Sequence, residues 1–392
     1  MNLEICIPNQ ETSEAMFFRS VDTSSFSVRG SLPGARISVV FIAVGLAALA
    51  GCGSSSPSSS SSFPSSHTAY VTLPTSNAVA GYRVDNNSAS FTNILGSPYP
   101  GGTSPSSVLV HPSNRFVYAA NQSGNDISLF TIDATLGSLL EVLPRTPAGL
   151  TPAALAMDSG GNFLFALNQV SSSISVYSID SGTGALTAVA GSPVSTFPNP
   201  FAFALSPSAK FLYVLNANLG SVFAYTVSAG VLHPVAGLPV QVGNGPLAIT
   251  VDPAENFVYV ANSTDNTVSV LSINSTTGAL TLLGTSATGT TPTSVAVLGQ
   301  FLYVVNLGSS NISVFSVAPT TGVLTQITSS PFTASSGSFF EAIDPNGKFL
   351  YVGSQTAKSI SALSINTTTG ALGGASQTAS TSVSPSSMSV SK

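Results

Sequence analysis

The segment Phe257–Asn262 reads FVYVAN. It alternates aromatic and β-branched residues and holds no polar group before its final Asn except the Tyr259 hydroxyl, which suits a strand covered on both faces. Near copies recur as FVYAAN at Phe116–Asn121, FLFALN at Phe163–Asn168, FLYVLN at Phe211–Asn216, FLYVVN at Phe301–Asn306 and FLYVGS at Phe349–Ser354. A weaker copy, TAYVTL, spans Thr68–Leu73. The central aromatics are Tyr70, Tyr118, Phe165, Tyr213, Tyr259, Tyr303 and Tyr351, spaced by 48, 47, 48, 46, 44 and 48 residues. A fixed period of this size marks a repeat architecture.

Working outward, each unit supplies three more strands. A Pro-led strand comes first, as in PSSVLV from Pro105, PAALAM from Pro152, PLAITV from Pro246 and PTSVAV from Pro292. A tight turn follows, containing Asp252-Pro253 or Asp344-Pro345 in two copies. After the aromatic strand comes an alternating one: ISVYSID (Ile174–Asp180), VSVLSIN (Val268–Asn274), ISVFSV (Ile312–Val317). A T-G-x-L turn, at Thr183, Thr277 and Thr321, leads to the fourth. Four short antiparallel strands at this period define a propeller blade. The expected fold is all-β: a seven-bladed β-propeller with four antiparallel strands per blade. The first unit lacks its Pro-led strand, and the last residues, PSSMSVSK from Pro385, match PSSVLVHP from Pro105. The C-terminal strand is therefore expected to complete the first blade and close the ring, leaving no open sheet edge there.

Composition agrees. The 392-residue chain is 43% hydrophobic but only 6% Asp, Glu, Lys and Arg, against about 25% in an ordinary soluble domain. Beyond the N-terminal region no apolar run approaches the roughly 20 residues of a membrane helix, and Gly (34) and Pro (25) interrupt the chain throughout. A net charge of −5 with no basic cluster excludes nucleic acid as an expected partner.

The N-terminus reads as an address. Ile37–Ala50 is a 14-residue apolar run preceded by Arg29 and Arg36, suited to a secretory signal. It ends in Leu49-Ala50-Gly51-Cys52, which resembles a bacterial lipobox. That resemblance implies cleavage before Cys52 and lipidation of its thiol, either Met1 or Met16 being the start. The expected organisation is a signal peptide over 1–51, the lipidated Cys and a Ser-rich tether over 52–66, and the propeller over 67–392. With Cys6 discarded and Cys52 acylated, the mature domain has no disulfide or Cys metal site.

The units around Asp344-PNGKFLYVGS and Ile174-SVYSIDSGTGALT resemble those of the lactonase-type seven-bladed propellers, which include 6-phosphogluconolactonase-like and carboxymuconate-cyclase-like proteins. YVANSTDNTVSVL (Tyr259–Leu271) is similar to the YVTN repeats of bacterial surface propellers. The resemblance extends over roughly Tyr70–Lys392 and implies hydrolysis of a lactone ring. The alternative is a non-catalytic propeller, lipid-anchored to the cell envelope, that binds a protein or carbohydrate. In either case a monomer is expected, touching the membrane only through its lipid and using no cofactor or metal.

Repetition sorts the charges. Asp158, Asp252 and Asp344 share one turn position; Arg115, Lys210 and Lys348 precede the aromatic strand; Asp85, Asp133 and Asp180 end the third strand, where Asn274 and Asn366 substitute. Recurring charges of this kind suit turn construction. The Asn residues ending the aromatic strands are read the same way, as tolerant of left-handed backbone. Few charges fall outside the pattern. Asp126, Asp265 and Lys358 are expected in loops between second and third strands and Arg145 in a loop leading to the next blade, all at the channel mouth as ligand-binding candidates. Arg83 falls on a third strand, and Glu141 is expected to be solvated on an outer one. Glu341 is the sharpest anomaly: it aligns with Val108, Leu155, Phe203, Ile249, Val295 and Met388. It is read as a channel-facing general base with a raised pKa, or as turned to channel water by a local bulge. A phosphorylated lactone calls for several cations, and only Arg145 and Lys358 are expected at the mouth. Tyr99, Phe197, Phe201 and Phe332 are candidates for stacking on a sugar. His67, His111 and His233 show no metal-ligand spacing.

Overall fold

The computed structural model describes Ile7–Pro8, Ala15–Met16 and residues 66–391 apart from Leu238. The signal run, Cys52 and nearly all of the tether lie outside the described residues. Ile7–Pro8 and Ala15–Met16 pair antiparallel in a unit of their own.

The second unit is seven antiparallel sheets. In blade 5, Pro246–Val251 is the inner strand, Phe257–Asn262 the second, Thr267–Ile273 the third and Leu280–Ala287 the outer one. Blades 2, 3, 4, 6 and 7 repeat this order from Pro105, Pro152, Pro200, Pro292 and Ser338. Blade 1 takes its inner strand, Met388–Val390, from the C-terminus, paired with Ser66–Leu73 through Ala69↔Val390 and Val71↔Met388. Ser391 N–H then donates to Thr68 O at 2.8 Å, and Thr68 N–H donates to Ser391 Oγ at 2.8 Å. The expected closure is present.

The core lies between blades. One cluster joins Phe165, Leu167, Ile174 and Val176 of blade 3 to Phe203, Leu212, Val214 and Phe223 of blade 4, and equivalent clusters fill the other seams. All six residues of Phe211–Asn216 are buried, as are all six of Phe257–Asn262. Both faces of the second strand serve as core, so these strands are apolar throughout instead of alternating.

The two sequence motifs meet across each seam. The ring of Phe116 lies against the glycine of the next blade's T-G-x-L turn, Gly184, whose φ of +75° no side chain adopts easily. Phe211, Phe257 and Phe301 meet Gly278, Gly322 and Gly370 in the same way. Two residues on, Tyr118 O–H donates to the Gly184 carbonyl at 2.7 Å, as Tyr70 does to Gly137 (2.7 Å) and Tyr303 to Gly370 (3.2 Å). Blade 3 carries Phe165 instead, and the blade it faces has a shorter turn around Ala229-Gly230.

The recurring carboxylates build turns as expected. The carboxylates of Asp158, Asp252 and Asp344 accept N–H bonds from Phe163, Phe257 and Phe349 at 2.6, 2.7 and 2.6 Å. Asp133 and Asp180 accept from the two N–H groups that open the following turn, and both carboxyls are held below the usual range. The terminal Asn residues differ in mechanism from expectation, because none has positive φ. They are buried, and the amides of Asn121, Asn168, Asn262 and Asn306 donate to serines seven residues on, at 2.8–3.0 Å.

Candidate functional site

Register decides where Glu341 stands. It pairs with Val352, the residue after the central Tyr351. Val108, Leu155, Phe203, Ile249, Val295 and Met388 pair with the equivalent residues of their own blades. One carboxylate therefore occupies a position that six blades give to hydrophobes. Those hydrophobes pack back on the preceding blade: Leu155 lies among Phe116, Tyr118 and Ile127, and Val295 among Phe257, Tyr259 and Val268.

Glu341 follows them into the seam between blades 6 and 7. Both carboxylate oxygens are buried, and neither has a hydrogen-bond partner. Burial pushes the carboxyl well above its ordinary range; the Ser294 hydroxyl lies near enough to offset this only in part. Its position fits the repeat. Ser107 and Ser387, which occupy the Ser294 register in blades 2 and 1, accept the N–H groups of Leu155 (3.1 Å) and Val108 (3.4 Å), each at the Glu341 register of the following blade. Tyr303 is raised too, chiefly by burial and secondarily by the Glu341 charge.

Both sequence expectations about its orientation thus need correction. The carboxyl points into the seam, not into the channel. The bulge between Ser338 and Phe340 does not turn it to water, because blades 2 to 6 carry the same bulge.

A second departure in blade 7 escaped the sequence reading. At the register before Glu341, other blades pair Ser107 with Ala120, Ala154 with Leu167 and Ser294 with Val305, whereas blade 7 pairs Phe340 with Gly353. A Cβ at Gly353 would collide with the Phe340 ring. The signal was present in FLYVGS, whose Gly replaces Ala, Leu or Val.

The four mouth candidates share one end of the propeller but not one cluster. Asp126 opens the third strand of blade 2 instead of lying in a loop. It accepts the Asn121 amide at 2.6 Å. Arg145 lies within the outer strand Leu139–Pro147, at the break in register between Val142 and Thr146, instead of in a loop leading to the next blade. It grips Glu141 through Nε (2.7 Å) and Nη2 (3.0 Å), and Ser128 donates to the same carboxylate at 2.7 Å. Glu141 is therefore engaged in a partly buried ion pair, not solvated, and that pair raises Arg145 further. Asp265, on blade 5, accepts the N–H and amide of Asn244 at 2.7 and 3.0 Å, which holds its carboxyl low. Lys358 sits in a turn of blade 7 with φ of +50°.

Three of the remaining candidates have local partners. His111 bridges Ser113 Oγ (2.8 Å) and Gly161 O (2.9 Å). Tyr99 is buried, with its O–H on Leu95 O at 2.9 Å. Phe197 is 47% exposed and stacks on Phe223 at 3.8 Å. Among the described residues no three His, Cys, Asp or Glu side chains are grouped to hold a metal, and no helix is long and apolar enough to cross a membrane.

The family description "Lactonase, 7-bladed beta-propeller" matches residues 61–203 and 195–390. The chain belongs to this lactonase propeller family. Solved structures repeat the fold at low identity. A proposed 6-phosphogluconolactonase of Bacteroides fragilis is 20% identical, with a TM-score of 0.73 over 86% of this chain and 100% of its own. The periplasmic gluconolactonase of Pseudomonas aeruginosa is 19% identical, with a TM-score of 0.72 over 84% and 99%. A Lactobacillus plantarum protein is 21% identical, with a TM-score of 0.71 over 84% and 100%. The sequence matches no functionally curated protein. For this lactonase-family chain, family and fold are settled, and the chemistry must come from its own residues.

Proposed function

We propose that the protein hydrolyses uncharged sugar lactones, with Glu341 as the general base. The observation that carries this is the buried, unpartnered carboxyl at a position where six blades place hydrophobes. Such a group costs stability, and departures of this kind concentrate at functional sites. Glu341 as a residue keeps partial exposure although its oxygens are covered in the seam, and the assignment requires a change of rotamer that brings the carboxyl out of the seam to the channel. Deprotonated, a carboxylate of high pKa is a strong base for activating water on an ester carbonyl. Supporting a neutral substrate, Arg145 is already chelated by Glu141, which leaves Lys358 as the remaining mouth cation among the candidates. Of the similar structures, the Pseudomonas aeruginosa protein is named for an uncharged lactone and the Bacteroides fragilis protein for a phosphorylated one, so lactone hydrolysis, not the charge of the substrate, is what the two names share.

The test is the full chain assayed against glucono-δ-lactone and 6-phosphogluconolactone. Turnover of the neutral lactone is expected, rising with pH as Glu341 ionises, and falling by about 100-fold or more in Glu341→Gln. Undiminished activity in that variant, or preference for the phosphorylated lactone, would sink the assignment.

A second reading is a non-catalytic propeller binding a protein or carbohydrate. It is favoured by the engagement of Asp126, Arg145 and Asp265 in local structure, and turnover of neither lactone would select it. Under both readings we place the protein at the cell envelope through lipid on Cys52. Cys52→Ser should then move it from the membrane to the soluble fraction; unchanged partitioning would refute the anchor.

A further inference from the structure

One register pair distinguishes blade 1 from the other six. Elsewhere the second strand opens with Phe opposite a small hydroxyl residue: Phe116/Thr131, Phe163/Ser178, Phe211/Thr226, Phe257/Ser272, Phe301/Ser316 and Phe349/Ser364. Blade 1 has Thr68 opposite Arg83. The phenyl ring that would lie on the next blade's turn glycine is missing, and the Thr68 methyl takes its place against Gly137. A groove of about 470 Å³ opens there between blades 1 and 2. It lies at the end opposite Asp126, Asp265 and Lys358, beside the Asp85 and Asp133 turns.

The lining is polar and balanced. Arg83 supplies a guanidinium, one N–H of which donates to the Thr135 carbonyl. Asp133 supplies a carboxylate held ionised by the Thr135 and Leu136 N–H groups. Ser66, Thr68 and Ser391 line it with hydroxyls, and Asn114 with an amide. Among the described lining residues one cation and one anion leave no net charge, which disfavours a phosphate or a dicarboxylate. Hydroxyls that donate and accept together suit this mixture of fixed donors and acceptors.

We propose that this groove is a second ligand site, for a neutral mono- or disaccharide. It is independent of any chemistry at Glu341. A sugar there would bridge Thr68 and Ser391, which close the ring, to Thr135 of blade 2, so binding should stabilise the closed propeller.

The test uses the full chain with glucose, galactose, N-acetylglucosamine, maltose and sodium gluconate, read by titration calorimetry and thermal unfolding. At least one neutral sugar should bind saturably and raise the melting temperature. The double variant Thr68→Phe/Arg83→Ser, which restores the residue pair of the other blades, should remain folded and weaken that binding about tenfold or more. Arg83→Gln alone should weaken it too, and Glu341→Gln should leave it unchanged. Binding of gluconate alone, binding of none of the sugars, or undiminished binding in both Arg83 variants would overturn the proposal.

Discussion

At Glu341, stability and activity should respond to pH in opposite directions. An isolated carboxyl in the unfolded chain titrates near its ordinary value, whereas burial raises the folded-state pKa well above it. Between those two values the folded state holds a proton that the unfolded state has released, so stability falls as pH rises. The fall for one such group is about 1 kcal/mol per pH unit within that window. Denaturant unfolding from pH 5 to pH 8 should show this decline in the native protein and lose most of it in Glu341→Gln. Glu341→Val, which restores the residue of blade 6, should be more stable at pH 8 by about 1–3 kcal/mol while abolishing any turnover. Equal pH slopes in native and Gln proteins would mean that the carboxyl is not buried in solution. The anomaly of this residue was legible in the sequence, because six aligned hydrophobes set the expectation. Its direction was not. A strand position shows which residues share a register, but whether a side chain enters a seam or a channel depends on the neighbouring blade.

At the level of elements, the aromatic strand and the T-G-x-L turn form a single unit split between neighbouring blades. Tyr118→Phe removes the 2.7 Å bond to Gly184 O and should cost about 1 kcal/mol. Gly184→Ala places a Cβ on left-handed backbone against the Phe116 ring and should cost about 2–4 kcal/mol. Chemical denaturation of both variants checks the order; a Gly184→Ala cost no greater than that of Tyr118→Phe would contradict this account of the seam. Each motif was visible along the chain, but their contact joins residues some 66 positions apart, which no local pattern reveals. Arg145 was misplaced for a local reason, since its partner is only four residues away. Its strand runs from Leu139 to Pro147 with a break in register between Val142 and Thr146, and only the bidentate contact with Glu141 reveals that its charge is already engaged.

For the whole molecule, ring closure concentrates stability at the C-terminus. Met388 is buried in the core cluster of blades 1 and 7, and loss of one such side chain costs about 2–5 kcal/mol. Deleting Ser386–Lys392 also removes the ladder to Ala69–Val71 and should lower the melting temperature by roughly 5–15 °C. An unchanged melting temperature would contradict the closure. The low charge of 6% has its explanation at this scale. With seams on both faces of each blade, the second strands are almost wholly core and the third mostly so, and Ser-, Thr- and Asn-rich turns face solvent in place of charged side chains.

The sequence by itself determined the blade count, the four strands of each blade and the strand that closes the ring. All three follow from a repeated pattern of buried side chains, and burial of the second strand in every unit enforces that pattern. Only the tertiary structure decided which charges remain available. It turned Glu341 into a seam, engaged Arg145 with Glu141 and opened a polar groove where Thr68 replaces a phenyl ring. The surroundings of Glu341 and of Arg83 are set by the adjacent blade, which lies dozens of residues away along the chain, and those of Arg145 by how its strand folds back on Glu141.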